Sequence, residues 1–206
     1  TGVQPCPLPI YGSEWSGLTE AFFTVPGQPA LPAADIALAE IHYNPASSSE
    51  DTEFIELLNV GARPVNLRGS LFNAGVQFRF PQQWDTILQP GQRIVLAGSL
   101  HAMLAAHGLA APVAGLYQGN LDNPGEFLRY QDAGGTVLAG FTCDDQAPWP
   151  QAPDGNGPSL VMIKPDSSPD PGDPLSWRSS TVHGGSPGWD DSIVFKIGRA
   201  SWRERV

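Results

Sequence analysis

Basic side chains are scarce in this sequence. Its 206 residues contain 11 Lys and Arg against 21 Asp and Glu, which gives a formal net charge of −10. Before the last eleven residues the only lysine is Lys164. A surface that binds duplex nucleic acid needs clustered cations that displace the counterions of the phosphates. The composition therefore predicts no nucleic-acid partner and fits a module of an extracellular protein better.

Cysteines and long apolar runs are also scarce. Cys6 and Cys143 are the only cysteines, which excludes a disulfide-stapled framework at this size. One bridge between them and two free thiols are both compatible with the sequence, and we expect free thiols. No run of about 20 apolar residues is present, so we expect no membrane insertion. The chain starts at Thr1 without a signal-peptide pattern, and we expect it to be an internal piece of a longer protein.

Turn-forming residues, in contrast, are abundant, with 23 Gly and 21 Pro. The apolar runs between them are short, as in AEIHYNP, EFIELLNVGARPVNLRGS and FRFPQQWDTILQPGQRIVLAG, and each ends at a turn signal. This order predicts an all-β sandwich. The predicted strands are Ile36–Tyr43, Glu53–Asn59, Val65–Leu67, Val76–Phe80, Arg93–Ala97, Gly125–Gln131, Thr136–Phe141 and Ser159–Ile163.

The run EFIELLN is apolar on both sides of a predicted strand. Alternation puts Ile55 and Leu57 on one face and Phe54 and Leu58 on the other. A strand that is covered on both faces has this pattern, so we expect it at the centre of a sheet.

One segment, SLHAMLAAHG, has the pattern of a helix. Ser99 is a suitable N-cap and Gly108 a suitable C-terminal stop. We expect Met103 and Leu104 to face inward. The predicted fold is therefore an all-β sandwich with one short helix.

The chain divides into three predicted parts. Residues 1–34 combine a strand within EWSGLTEAFFTV, centred on Ala21–Val25, with the Pro-rich linker PGQPALPAAD. Residues 35–189 form the main domain, and residues 190–206 form a disordered or non-native tail. The pattern WS-x-LTEA-x-F resembles the last strand of sandwich repeats that end chitobiase-like secreted bacterial proteins. The closing string KIGRASWRERV, which holds four of the eleven basic residues, resembles a translated sequencing-adapter read-through.

The main domain carries a family resemblance along about 150 residues. The segments EIHYNP, EFIELLN, VNLRGS, FRFP…ILQPGQRIVLA, LDNPGEFLRYQDAGGTVL, APWP, DGNGPSL and GGSPG resemble, in this order, a bacterial lamin-tail domain. The resemblance implies an immunoglobulin-like sandwich. It also implies a module carried on a large secreted or cell-surface bacterial protein, beside domains such as spore-coat kinases, nucleases or carbohydrate-associated modules.

Three glutamates, Glu40, Glu53 and Glu56, are the candidate ligand-binding residues, because they lie on predicted neighbouring strands. Paired carboxylates serve in acid–base catalysis or bind Ca²⁺. The simpler interpretation, which we favour, is that Glu40 and Glu56 accept hydrogen bonds from the backbone or from arginine at the edge of the sandwich, since buried carboxylates need partners. The arginines considered for this are Arg63, Arg68 and Arg79.

The acidic loop at residues 166–173 supplies the candidate calcium ligands Asp166, Asp170 and Asp173. It lacks the alternating spacing and the distal Glu of an EF-hand loop, so a solvated acidic loop is the favoured interpretation. The four histidines have no metal-ligand spacing. No nucleophile elbow and no phosphate-binding loop are present, and no catalytic residue is predicted. Calcium is the only cofactor considered.

The aromatic residues are scattered, and we expect most of them in the core and not on a sugar-binding platform. The sequence therefore predicts a non-catalytic structural or interaction module that spaces, docks or adheres at the surface of a bacterial cell, with a protein or polysaccharide partner. The alternative is a carbohydrate- or calcium-binding accessory domain of a larger extracellular enzyme.

Overall fold

The computed structural model describes residues 9–11, 14–15, 35–46 and 52–191. The helical segments are α1 (Leu100–His107) and the 3₁₀-helices Gly108–Ala110, Pro165–Ser167 and Pro174–Ser176. The strands, in chain order, are β1 (Pro9–Tyr11), β2 (Glu14–Trp15), β3 (Ile36–His42), β4 (Phe54–Asn59), β5 (Val65–Asn66), β6 (Leu71–Ala74), β7 (Val76–Arg79), β8 (Ile87–Leu88), β9 (Arg93–Ala97), β10 (Val113–Leu116), β11 (Phe127–Gln131), β12 (Val137–Thr142), β13 (Leu160–Met162) and β14 (Trp177–Ser179).

Most strands belong to two sheets. The six-stranded sheet has the order β10-β9-β4-β3-β13-β14, in which only β10 and β9 run parallel. The four-stranded sheet has the order β12-β11-β6-β7 and is antiparallel throughout. Two short antiparallel pairs, β5 with β8 and β1 with β2, complete the described strands. Antiparallel pairing between neighbours in sequence is what the short runs and tight turns predict.

The main hydrophobic core fills the space between the two sheets. Ile41 and Leu57 of the six-stranded sheet share it with Phe72 and Tyr130 of the four-stranded sheet. The rings of Phe72 and Tyr130 stack with centroids 4.8 Å apart, and the Tyr130 hydroxyl hydrogen-bonds the buried Ser70 hydroxyl at 2.8 Å. The predicted all-β sandwich with one short α-helix is thereby confirmed.

Strand β4 lies inside the six-stranded sheet, between β9 and β3, and all six of its residues are buried. Ile55 and Leu57 face the main core, whereas Phe54 packs in a second cluster with Val95 and Met103. The prediction of a central strand covered on both faces is confirmed. The outer face of this sheet therefore has a covering layer of its own, and α1 supplies part of it.

Helix α1 has the predicted bounds. The Ser99 hydroxyl accepts a hydrogen bond from the Ala102 N–H at 3.3 Å, and the helix stops at Gly108, whose φ is 63°. Met103 is fully buried, as predicted, but Leu104 is 40% exposed, so the prediction for Leu104 is wrong. Adjacent helical residues project about 100° apart, so only one of the two can point at the sheet.

Each of the eight strands predicted in the main domain is present, with ends shifted by two residues or fewer. The predicted turns also hold, since Gly91 and Gly125 have φ values of 73° and 106°, which favour glycine. Strands β1, β2, β6, β8, β10 and β14 were not predicted; β2 covers the first two residues of EWSGLTEAFFTV, where the strand was expected at Ala21–Val25. They have two to four residues each, too few to show a hydrophobic period.

Most of the described aromatic residues lie in the core, as predicted. Tyr43, Tyr117 and Tyr130 are buried, and Trp149 packs with its ring centroid 6.5 Å from that of Trp177. The exceptions include Trp84, which is 62% exposed.

Two further expectations concern the termini and the thiols. The strand predicted at Ala21–Val25 and the tail KIGRASWRERV lie outside the described residues. Cys143 is a buried free thiol, and Cys6 is outside the described residues. No helix in the part of the chain that the structure describes is long and apolar enough to cross a membrane.

Candidate functional site

A pair of buried carboxylates lies on the outer face of the six-stranded sheet. Glu40 on β3 and Glu56 on β4 are direct cross-strand partners and are 1% and 0% exposed. Their neighbours Ile41 and Ile55 face the main core, so alternation turns both carboxylates away from it. Two adjacent carboxylates in a low-dielectric site repel each other and lose hydration. The groups that surround them therefore decide whether the arrangement is stable.

Serine residues surround Glu40. Its carboxylate accepts hydrogen bonds from the Ser159 hydroxyl, from the Ser186 N–H at 2.7 Å and from the Ser186 hydroxyl at 2.7 Å. Burial raises the pKa of Glu40 above its ordinary value, and these hydrogen bonds act in the opposite direction. Both carboxylate oxygens are thus occupied by donors from distant parts of the chain.

Arginine and a backbone amide hold Glu56. Arg93 on β9 forms an ion pair with one carboxylate oxygen, and the Gly188 N–H donates to the other at 2.6 Å. Burial raises the pKa of Glu56 to about 7; Arg93 pulls it down, and the neighbouring Glu40 pushes it up. A carboxyl in this position titrates near neutrality.

The arginine partner differs from the ones considered in the sequence. Arg93 pairs with Glu56, whereas Arg68 pairs with Asp85 at 3.4 Å. Arg79 donates to the Gly69 carbonyl at 3.0 Å. The favoured interpretation, hydrogen bonds from the backbone or arginine, is therefore correct in kind but named the wrong arginines. The expected place at the sandwich edge is also wrong, because β3 and β4 lie inside the six-stranded sheet. Arg93 is two positions along β9 from Val95, the residue opposite Glu56, and so reaches it diagonally.

The segment 184–191, here called the C-terminal strap, crosses the outer face of the sheet. Ser186 fastens it to Glu40 and Gly188 fastens it to Glu56. Asp191, which is 2% exposed, pairs with Arg178 on β14 and accepts the Thr181 N–H at 3.1 Å. The buried carboxylates thus hold the strap against the sheet.

Glu53 belongs to a different place. It precedes β4, and its carboxylate accepts hydrogen bonds from the Leu121 N–H at 2.8 Å and from the Tyr117 hydroxyl at 3.4 Å. These contacts tie the loop between β10 and β11 to the start of β4. The sequence predicted that Glu40, Glu53 and Glu56 lie close together. In the structure Glu40 and Glu56 form a pair, and Glu53 lies in a different place.

A groove of about 550 Å³ opens beside the buried pair. Glu40, Arg93, Ser186 and Arg178 line its inner part, and the 43% exposed Trp189 lines its rim. Both arginines are engaged in ion pairs, with Glu56 and Asp191. The groove wall combines apolar and charged side chains, and its charges largely neutralise one another.

The acidic loop contributes one residue to this groove. Asp166 lines it, whereas the Asp170 and Asp173 carboxylates accept the N–H groups of Gly172 at 2.8 Å and Leu175 at 3.0 Å. Within residues 35–46 and 52–191, no three His, Cys, Asp or Glu side chains are placed to hold a metal ion. Calcium binding by this loop stays a prediction.

Glu40, Glu56 and the groups that donate hydrogen bonds to them are here called the clasp. A general acid or base must reach a proton of the substrate within hydrogen-bond distance. Here each of the four carboxylate oxygens already accepts a hydrogen bond from the fold. The direct effect of this arrangement is therefore to hold the C-terminal strap against the sheet.

No protein-family model and no curated protein matches this chain. The lamin-tail resemblance accordingly rests on the sequence motifs quoted above. Among those motifs, GGSPG coincides with residues 184–188 of the strap. Its glycines fit the strap because Gly185 and Gly188 have φ values of 82° and 93°.

Several site residues could not be found from the sequence. Ser159 and Ser186 carry no motif that marks them as partners of a glutamate, and Ser186 lies 146 positions from Glu40. Asp191 falls in the part of the chain expected to be a tail. The one available signal was the closing GGSPG, whose glycines indicate a backbone that approaches another element closely.

Proposed function

We propose that this chain is a non-catalytic structural or interaction module, an immunoglobulin-like domain of the lamin-tail type within a secreted or cell-surface bacterial protein. Its role is to space, dock or adhere. The domain comprises residues 35–191, because the strap that ends at Asp191 takes part in the clasp. The sequence motifs and the sandwich architecture support this assignment.

The main support for the proposal is that the buried carboxylates all accept hydrogen bonds from groups of the fold. Glu40, Glu56 and Asp191 are the most completely buried acids of the groove region, and each is held by donors of the fold. A catalytic carboxylate needs a free oxygen directed at the substrate. These carboxylates instead close the outer layer of the sandwich, as expected for a module built to be rigid.

The proposal is tested with the complete chain in two assays. We expect it to sediment with insoluble bacterial cell-envelope material, and to show no turnover of polysaccharide, phosphodiester or peptide substrates. Thermal unfolding measured in parallel shows whether each sample is folded. Turnover that disappears in Glu56→Gln while the unfolding temperature is unchanged would overturn the non-catalytic assignment, and failure to sediment would overturn the docking role.

A further inference from the structure

The outward face of the four-stranded sheet is chemically unlike the rest of the molecule. Strands β6, β7, β11 and β12 contain no Asp or Glu, although the chain has 21 acidic residues. Alternation turns Phe72, Leu128, Tyr130 and Phe141 inward, and all four are buried. The outward surface is here called the amide face, and its main members are Asn73, Arg79, Phe127, Arg129, Gln131 and Val137.

Hydrogen bonds between side chains fix the middle of the amide face. The Arg129 Nε donates to the Asn73 side-chain oxygen at 2.8 Å, and the Asn73 amide donates to the Gln131 side-chain oxygen at 2.6 Å. The Gln131 amide in turn donates to the Gly135 carbonyl at 3.2 Å. Three planar polar groups are therefore held in place before any partner arrives, which lowers the entropy cost of binding.

An apolar strip, formed by Phe127 of β11 and Val137 of the edge strand β12, borders these groups. Phe127 and Val137 are 46% and 49% exposed, and they approach each other across Gly140. A Cβ at Gly140 would lie 3.2 Å from Val137 Cγ1 and 3.6 Å from Phe127 Cζ. The absence of a side chain there leaves room beside the Phe127 ring, so a flat ligand can lie against it.

The two cations of the amide face have no acidic partner among the described residues. The described ion pairs use Arg68, Arg93 and Arg178, and neither Arg79 nor Arg129 takes part in one. Arginine presents a planar fork that matches a carboxylate. On a protein of net charge −10, this acid-free face is complementary to an anion.

We propose that the amide face binds an acidic polysaccharide, with Arg79 and Arg129 at its carboxylates, the amides at its hydroxyls and Phe127 against a sugar ring. This assignment rests on the proposed function, since it names the partner class of the docking module. An acidic peptide fits the observations less well. Peptides join a sheet by adding a strand at its edge, whereas the groups here lie on the face.

The test is isothermal titration calorimetry of the complete chain at low ionic strength. The probes are polygalacturonate, neutral dextran and poly-glutamate. We expect binding to polygalacturonate that weakens as salt is added, and little heat with the other two. The double variant Arg79→Gln/Arg129→Gln should bind about tenfold more weakly, because two charge-assisted hydrogen bonds are lost. Phe127→Ala should weaken binding as well.

The matched control is Arg203→Gln/Arg205→Gln, which removes the same two charges from the C-terminal tail. Its affinity should equal that of the parent chain, and thermal unfolding of each variant shows that the fold is kept. Equal loss in the tail variant, equal binding of poly-glutamate, or no binding of polygalacturonate overturns the assignment. A chain that still sediments with cell-envelope material in that case leaves the proposed function standing, so the two failures are distinguishable.

Discussion

Glu56 shows how one residue combines two opposing electrostatic effects. Its complete burial disfavours the carboxylate form, and the neighbouring Glu40 adds repulsion. Arg93, whose side chain is 15% exposed, and the Gly188 N–H favour the charged form. Breaking a buried ion pair from one side is more harmful than replacing both partners, because the remaining charge loses its compensation.

Removal of the Glu56 carboxylate should therefore destabilise the protein strongly. We expect Glu56→Ala to lower the free energy of unfolding by about 3 kcal/mol, since Arg93 and the Gly188 N–H both lose their acceptor. Urea denaturation at neutral pH measures the change. The control Asp166→Ala, at an exposed carboxylate of the same groove, should cost less than about 0.5 kcal/mol. Equal effects of the two substitutions would contradict the clasp.

His42 makes the stability depend on pH. It is 2% exposed, its Nδ1 lies 3.3 Å from the Thr52 carbonyl oxygen, and burial lowers its pKa to about 4. In the unfolded chain its pKa is 6.5, so between pH 6.5 and 4 the unfolded state binds more protons. Stability from neutral His42 is fully present above pH 6.5 and is lost as the pH falls toward 4.

Replacement of His42 should remove this loss. Between pH 7 and pH 4 we expect the parent chain to lose up to about 3 kcal/mol more unfolding free energy than His42→Gln does, because only the parent chain carries the buried histidine. Chemical denaturation at four or five pH values provides the measurement. If the pH profile of His42→Gln runs parallel to that of the parent chain, the role of His42 is disproved.

At the scale of the elements, the C-terminal strap and α1 together form a covering layer on the six-stranded sheet. The strap has no regular secondary structure, so its position depends on side-chain and backbone hydrogen bonds to Glu40 and Glu56. Its close approach requires glycine at Gly185, which has a φ of 82° and lies against Glu40 and Phe54. The strap therefore packs so closely on the sheet that one added carbon atom at Gly185 would overlap its neighbours.

Alanine at Gly185 should disturb this layer. An added Cβ would lie 2.6 Å from Glu40 Oε1 and 2.8 Å from Phe54 Cζ. We expect Gly185→Ala to cost about 3 kcal/mol, from left-handed strain plus overpacking. Gly91→Ala is the matched control, because Gly91 has a φ of 73° but nothing within 4 Å of the added carbon, and it should cost only about 1 kcal/mol. Thermal or urea unfolding compares them, and similar costs would refute the close approach.

At the scale of the whole molecule, the described residues form three layers, of which the third is partial. The main core lies between the two sheets, and the second cluster with Phe54, Val95 and Met103 lies under α1. Because the strap ends at Asp191, the domain needs its sequence up to that residue. The predicted domain boundary at residue 189 leaves out Asp191, which pairs with Arg178.

Two truncations test this boundary. Deletion of 196–206, the adapter-like string, should leave the unfolding temperature unchanged, as expected for a non-native tail. Deletion of 184–206 removes Ser186 and Gly188, which donate to Glu40 and Glu56, and also removes Asp191. It should cost more than about 3 kcal/mol, because buried charged groups lose part of their compensation. Differential scanning calorimetry of the two shortened chains gives the comparison. If the chain that lacks 184–206 is as stable as the chain that lacks only 196–206, the strap contributes nothing to stability.

The elements differ in how far their own sequence predicts them. β4 and β9 were predicted almost residue by residue, because alternation and the flanking turn residues are local. β10 was not predicted, because the sequence VAGL does not alternate apolar and polar residues. Its strand conformation depends on parallel pairing with β9, which lies elsewhere in the sequence. Propensity is weak in such short segments, and tertiary pairing decides their conformation.

The sequence by itself determined the all-β class, the central strand and the capped helix, because these follow from periods and caps within a few residues. It also supplied Glu40 and Glu56 as neighbours. Only the tertiary structure decided that Arg93, Ser159 and the strap complete their surroundings, since Gly188 lies 132 positions from Glu56. The same holds for the amide face, whose acid-free surface exists only once four separate strands are paired side by side.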